Sequence, residues 1–259
     1  MKVFSVAGYH HTGKTTAVCR LIGGLRKRGH KVMSIKDIHS EGFTLDSQGS
    51  NSWKHADAGA EPVFARGLRE TGLLWRRALG LPQMLTYLDA DWVVVEGMKD
   101  TAIPRIVCAE TEAQLEELVD DTVFAISGKI ADNLREWRGI PVISALNDPE
   151  ALVELVERKV FDVLPLVDDA CCFACGLGCY GMVGSILSGD NPREACSRDD
   201  RSVRLRVAGQ DLHIVPFIQT ILRDVVRGIV SNLKGVRPGS IELTISDNDS
   251  DAGKTDEKH

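Results

Sequence analysis

Residues 8–15 read Gly-Tyr-His-His-Thr-Gly-Lys-Thr and fill every position of the pattern G-x-x-x-x-G-K-[ST]. The chemistry of that spacing is phosphate binding. Gly8 and Gly13 let the backbone curl around Thr12 so that successive N–H groups face phosphate oxygens. Lys14 would set a point charge on the outer phosphates, the Thr15 hydroxyl would hold Mg²⁺, and Thr16 would reach an inner phosphate through its N–H or hydroxyl. A second constellation lies far downstream. Of seven cysteines, five (Cys171, Cys172, Cys175, Cys179 and Cys196) crowd into one short stretch. Cys172, Cys175, Cys179 and Cys196 supply four thiolates, three from a tight loop and one from beyond a helical stretch. Four thiolates suit a [4Fe–4S] cluster or tetrahedral zinc. Gly176 and Gly178 let the chain wrap a metal centre closely, and Cys171 is a spare thiol able to replace Cys172. Cys19 and Cys108 read as core residues.

Carboxylates complete the first constellation. Asp91-Trp92-Val93-Val94-Val95-Glu96-Gly97 is an apolar strand ending in an acid and a glycine, and a phosphate-loop protein needs such an acid to hold Mg²⁺ or its waters. Glu96 is the candidate, the plain alternative being a strand-end carboxylate facing water. Lys99, close behind, would approach a phosphate or an anionic substrate. Asp37 would emerge at the same sheet edge as the loop. Asp46, in the polar 46–52 segment, would reach over the terminal phosphate as part of a switch-like loop. Either Asp37 or Asp46 would orient a hydrolytic water.

The elements that must position these groups alternate. Strands are expected at Val3–Ala7, Lys31–Lys36, Glu61–Ala65, Trp92–Val95, Ile103–Ala109, Thr122–Ile126 and Pro141–Ser144. Helices are expected at Lys14–Gly29, Arg69–Leu88, Glu112–Val119 and Pro149–Val160, with a long loop and short helix over 43–60. This is an α/β pattern, a phosphate-loop nucleotide-binding fold with a mostly parallel, helix-covered sheet over residues 1–162. A smaller α+β cysteine-rich domain is expected over 163–245, with a helix at Tyr180–Leu187, a hairpin (Arg201–Val207 and Asp211–Val215), a helix at Pro216–Leu233 and a strand at Ser240–Ile245. Residues 246–259 are acidic and polar and read as a disordered tail.

Composition bounds the rest. The 259 residues are 43% hydrophobic, enough for a core, and the net charge of -6 argues against a general nucleic-acid surface. No apolar run is long enough to span a bilayer. The chain enters its first strand without a signal-peptide pattern, so a cytoplasmic location and reduced thiols are expected, which makes the cysteine cluster a metal site before a disulfide framework.

Several motifs, in order, resemble the molybdopterin-guanine dinucleotide biosynthesis protein B (MobB) family: the loop at 8–16, Ile35-Lys36, Asp46 through Gly49 to Ser52, His55 with Ala58-Gly59-Ala60, Val94 to Lys99, Pro104-Arg105-Ile106, and Leu146 to Glu150. The resemblance covers roughly residues 1–160. It implies a dimeric GTP-binding phosphate-loop fold with weak GTPase activity, acting beside a molybdenum cofactor guanylyltransferase that attaches GMP to molybdopterin. His39-Ser40, Gln48 and Asn51 depart from the family pattern. There is no N-K-x-D guanine reader, so GTP comes from the resemblance and the residues leave ATP open. The Cys175–Cys196 stretch is similar to the four-cysteine iron–sulfur domain of corrinoid iron–sulfur proteins and Rnf-type carriers, with one residue fewer before the third cysteine. Two other readings stay open: an adaptor in which nucleotide binding changes shape to deliver a partner or pterin, and a metallocluster-assembly or electron-transfer NTPase.

Overall fold

The structure, a computed structural model, describes residues 1–166, 175–196, 203, 205–207, 210–212, 216–235, 239 and 241–244. In chain order the elements are β1 (Lys2–Gly8), α1 (Lys14–Lys27), β2 (Val32–Lys36), α2 (Asn51–Asp57), β3 (Val63–Arg66), β4 (Thr71–Leu74), α3 (Leu81–Thr86), β5 (Trp92–Glu96), β6 (Arg105–Cys108), α4 (Glu112–Leu118), β7 (Val123–Ser127), β8 (Glu136–Trp137), β9 (Ile140–Pro141), α5 (Pro149–Lys159), α6 (Gly178–Ser188), β10 (Leu205–Val207), β11 (Gln210–Leu212) and α7 (Pro216–Ser231).

The α/β expectation holds. Five strands form one sheet in the order β2-β5-β1-β6-β7, and every pairing in it is parallel. Strands β5, β6 and β7 are buried at every position, which explains their unbroken apolar runs. The chain leaves β1 for the edge strand β2, returns to β5 beside β1, and then crosses to β6 on β1's other side. Such a reversal opens a crevice at the carboxyl ends of the strands, where ligands of open α/β sheets bind.

Helix α1 buries Ala17, Val18, Leu21, Gly24 and Leu25. Full burial of Leu21 and Leu25 contributes about 1.5–3 kcal/mol each. A Cβ on Gly24 would stand 2.5 Å from Val153 Cγ2, so glycine there is what lets α1 lie close on α5. Helix α5 starts where a side chain caps it: Asp148 Oδ1 accepts from Ala151 N–H at 3.2 Å.

Four expectations change. Residues 69–88 are not one helix. Thr71–Leu74 pairs antiparallel with Val63–Arg66, closed by Gly67 N–H to Glu70 O at 2.8 Å, and only Leu81–Thr86 is helical. Gly72, Gly80 and Pro82 weaken a helix there, and pairing with β3 satisfies the backbone instead. The strand expected at Pro141–Ser144 shrinks to the two-residue β9 and a parallel bridge between Val142 and Ile126. Residues 241–244 carry no strand. The chain divides into compact units Met1–Asp199 and Asp200–His259, so α6, which the expected boundary gave to the second domain, belongs to the first. It adds Met182, Val183 and Leu187 to the core of Phe4, Leu21 and Leu152. In the second unit β10 and β11 pair antiparallel, and α7 follows. The expected tail, 246–259, lies outside the described residues.

Candidate functional site

The segment between β1 and α1 is shaped by its glycines. Gly8 has φ 152°, and a Cβ there would stand 2.1 Å from the Cys108 carbonyl oxygen on β6. Gly13 has φ 100° and forms the N-cap of α1, where no side chain caps the helix and no acidic residue occupies the first turn. The first N–H groups of α1 have no intrahelical acceptor, and the helix dipole adds positive potential at the same place. This end of α1 is therefore chemically prepared for an anion. Thr12 is buried and donates from Oγ1 to the Tyr9 carbonyl at 2.9 Å. Lys14 Nζ donates to the same carbonyl at 2.5 Å, folded back along the loop, and burial lowers its pKa. Thr15 and Thr16 are exposed on the first turn.

Opposite the loop stands Glu96, the last residue of β5 and buried. Its Oε1 accepts from Thr15 Oγ1 at 2.9 Å and from Lys36 Nζ at 2.8 Å. Burial pushes the Glu96 carboxyl up, but the Lys36 ammonium and the Thr15 hydroxyl outweigh it and hold the group below its ordinary value. An ionised carboxylate oxygen beside a hydroxyl oxygen, already attracting a cation, is a donor pair that suits a hard divalent ion. Glu96 and Thr15, 81 positions apart in the chain, are thus brought together.

The other expected residues distribute differently. Asp37 lies at the neighbouring strand end and does not bond the loop. Its Oδ2 accepts from Met98 N–H at 3.2 Å and pairs with His39 Nε2 at 3.0 Å. Gly97, φ 103°, makes this possible, since a Cβ there would stand 2.9 Å from Asp37 Cβ. Asp46 accepts from Ser47 N–H at 2.8 Å and Ser50 Oγ at 2.7 Å, all within its own loop, and the Ser50 hydroxyl holds its carboxyl low. Lys99 Nζ lies 5.0 Å from the centre of the Tyr9 ring, and the Tyr9 hydroxyl donates to Glu117. Cys108 is fully buried beneath Gly8, and burial pushes its thiol up to about 12; it is a core residue, as expected, whereas Cys19, expected in the core too, is exposed on the outer side of α1.

Lys36 escaped sequence reasoning as a site residue, and Gly128, which the sequence offers only within Ser127-Gly128-Lys129 as a contact for base or ribose, backs the loop instead. Lys36 sits in register with Glu96 across β2 and β5, and only that pairing identifies it as the carboxylate's partner. Gly128, φ 89°, backs the loop so closely that a Cβ would stand 2.4 Å from the Thr12 carbonyl oxygen. A glycine after an apolar strand was the signal available for it.

The cysteine stretch is a separate part of the same unit. Cys175, Cys179 and Cys196 are half-buried and pack against the main core, and Cys179 lies in the first turn of α6. Arg193 fastens this stretch by donating from Nε to Asp162 O at 2.5 Å and from Nη2 to Val163 O at 2.6 Å. Cys171 and Cys172 lie outside the described residues. Among the described residues no three His, Cys, Asp or Glu side chains come together as a metal-holding group, so Cys175, Cys179 and Cys196 do not by themselves form one. Among those residues, too, no helix is long and apolar enough to cross a membrane.

Residues 3–129 match the model of the family MobB, molybdopterin guanine dinucleotide synthesis protein B. A putative molybdopterin-guanine dinucleotide biosynthesis adapter protein of Methanocaldococcus jannaschii is 25% identical over 95% of this chain and 97% of its own length. That alignment spans most of the cysteine stretch and the second unit as well. The Escherichia coli adapter protein is 29% identical over 60% of this chain and 90% of its own. The crystal structure of Bacillus subtilis MobB is similar at 23% identity and a TM-score of 0.49, covering 63% of this chain and 100% of that one. The matched span holds the glycine loop, Glu96 and Gly128.

Proposed function

We propose that this protein is an adapter of molybdopterin-guanine dinucleotide biosynthesis that binds GTP with Mg²⁺ at the Gly8–Thr16 loop. The observation that carries the reading is the uncapped N-terminus of α1, wrapped by Gly8 and Gly13 and faced by the Thr15–Glu96 oxygen pair, inside the family match. The relatives' adapter role supports the pathway.

In this reading Lys14 swings from the Tyr9 carbonyl to the outer phosphates, exchanging a neutral acceptor for a charged one. Thr12, Gly13, Thr15 and Thr16 present N–H groups to the phosphates. Thr15 and Glu96 hold the metal, whose chemistry is to neutralise and orient the phosphate oxygens, and Lys36 gives up its place on Glu96. Lys99, over Tyr9, stands by for an anionic group. Asp37 and Asp46 have no bond to the loop, so hydrolysis by either needs the 37–50 segment to move, which fits a weak GTPase. The protein works as a dimer in the cytoplasm beside a molybdenum cofactor guanylyltransferase. The cysteine lobe holds a [4Fe–4S] cluster through Cys172, Cys175, Cys179 and Cys196; the spacing of the four thiols along the chain supports it.

Titration with a fluorescent GTP analogue tests the nucleotide site. Lys14→Ala is expected to bind at least about a hundredfold more weakly than wild type, the scale of losing two charge-assisted bonds. Equal affinity would end the assignment of this loop.

A further inference from the structure

A cavity beside the loop has aromatic and arginine walls that this nucleotide chemistry does not use. Its volume is ≈ 600 Å³, inside the range of roughly 300–1,000 Å³ typical of small-molecule sites. It lies against the end of β2, the edge strand on the far side of β5 from β1, whereas Gly128 closes on the loop from the β7 side. Lys36, the partner of Glu96, is on its wall, and no residue of 8–16 is. The cavity therefore adjoins the Glu96 carboxylate without overlapping the phosphate loop.

Its lining combines three kinds of group. Trp53 and Trp75 are half-buried aromatic walls, and Trp75 is fixed by Tyr87 at 4.8 Å between ring centres. Arg76 lies 4.8 Å over the Trp53 ring and ion-pairs with Asp57 at 3.1 Å, while Arg77 Nε is held by Glu61 at 2.6 Å. Each guanidinium has five N–H donors, so these pairs orient the arginines and leave donors for a ligand. Asp46 supplies a carboxylate whose Oδ1 is set by Ser47 and Ser50.

We propose that this cavity is a second ligand site, for a pterin carrying a phosphate, with the flat ring against Trp53 and Trp75, its N–H edge on Asp46 and its phosphate on Arg76 and Arg77. Aromatic faces stack flat heterocycles. A carboxylate accepts from the adjacent ring N–H and amine of an amino-oxo pyrimidine edge, and the arginine fork matches a phosphate. The proposal rests on the adapter reading for its choice of pterin among flat anions. It places the pterin and the nucleotide on either side of Glu96.

The test uses the full chain and neopterin monophosphate, followed by polarisation of the pterin fluorescence, with and without saturating GDP and Mg²⁺. One pterin per chain is expected in both conditions. Unphosphorylated neopterin is expected to bind about tenfold more weakly, as is the phosphate ester to Arg76→Ala and to Arg77→Ala, the scale of one charge-assisted contact. Trp53→Phe should retain binding and Trp53→Ala should lose it. If Trp53→Ala melts early by circular dichroism, the exposed Arg77→Ala decides. Lys14→Ala should lose GDP and keep the pterin. Absence of pterin binding to wild type that binds GDP normally would overturn the proposal. So would displacement by GDP, loss in Lys14→Ala, or equal binding of GMP to the GDP-loaded chain. Pterin binding by a wild type that fails to bind GDP would instead overturn the nucleotide reading and leave this site standing.

Discussion

The phosphate loop and the cysteine stretch were equally conspicuous as spacing patterns, and the fold builds them in opposite ways. The loop is local: Gly8 to Thr15 is one turn between a strand and a helix, and its curvature follows from two glycines. The sheet then carries its remaining partners to it, Glu96 from β5, Lys36 from β2 and Gly128 from behind β7. The cysteines at 175, 179 and 196 are instead anchored on the core one by one, through α6 packing and the Arg193 clasp, and the described thiols do not converge as a ligand set. A motif formed within one turn is complete once its backbone is. A motif whose members are spread over a helix needs either its full ligand set or the metal itself to draw them together, because binding free energy is then part of folding free energy.

That contrast can be broken first at the cysteines. Anaerobic purification followed by iron, sulfide and zinc analysis should give about four irons and four sulfides per chain, all lost in Cys179→Ser. Zinc, or no metal, would leave the stretch as a structural appendage of the core. Next in size is the wall of the loop. Gly128→Ala puts a methyl 2.4 Å from the Thr12 carbonyl oxygen at a positive φ. It should cost about 2–4 kcal/mol by urea unfolding, the sum of overpacking and backbone strain, and weaken nucleotide binding as well. A change within error would mean that the loop and β7 are not rigidly joined.

Smaller effects sharpen the loop's electrostatics. Glu96 holds its proton more weakly in the folded chain than in the unfolded one. Its stabilising bonds with Lys36 and Thr15 are therefore present above its ordinary value of 4.5 and are lost as the pH falls through the lower folded value. Glu96→Gln should flatten the fall in stability below that pH and reduce the benefit of Mg²⁺ to nucleotide binding by about tenfold. An unchanged acid profile would remove Glu96 from the account. At the small end, Asp148→Ala deletes the cap of α5 and should cost about 1 kcal/mol in thermal or urea unfolding, leaving nucleotide affinity untouched. A change in that affinity would show that α5 reaches the site.

Much of this was legible before the fold was seen. The glycine loop, the buried strand ending in Glu96 and the helix beginning at Pro149 each depend on residues within a few positions, so local preference and tertiary structure agree. Where they disagreed, strand pairing won: β4 formed as the hairpin partner of β3 inside a stretch expected to be helical. Asp37 and Asp46 read as loop-facing acids because their distance in sequence from Gly8 carries no direction. In the structure they turn to Met98, His39, Ser47 and Ser50, and both line the cavity beside β2.

The sequence alone determined the candidate loop and the chemistry proposed for it, since two glycines, a lysine and a hydroxyl within eight residues need no distant partner to be recognised. Only the tertiary structure decided that Lys36 meets Glu96, that α6 joins the first unit, and that Trp53 of α2 and the Trp75-Arg76-Arg77 segment after β4 line one space. Those relations come from strand order and register, which bring together side chains dozens of residues apart and which no local pattern encodes.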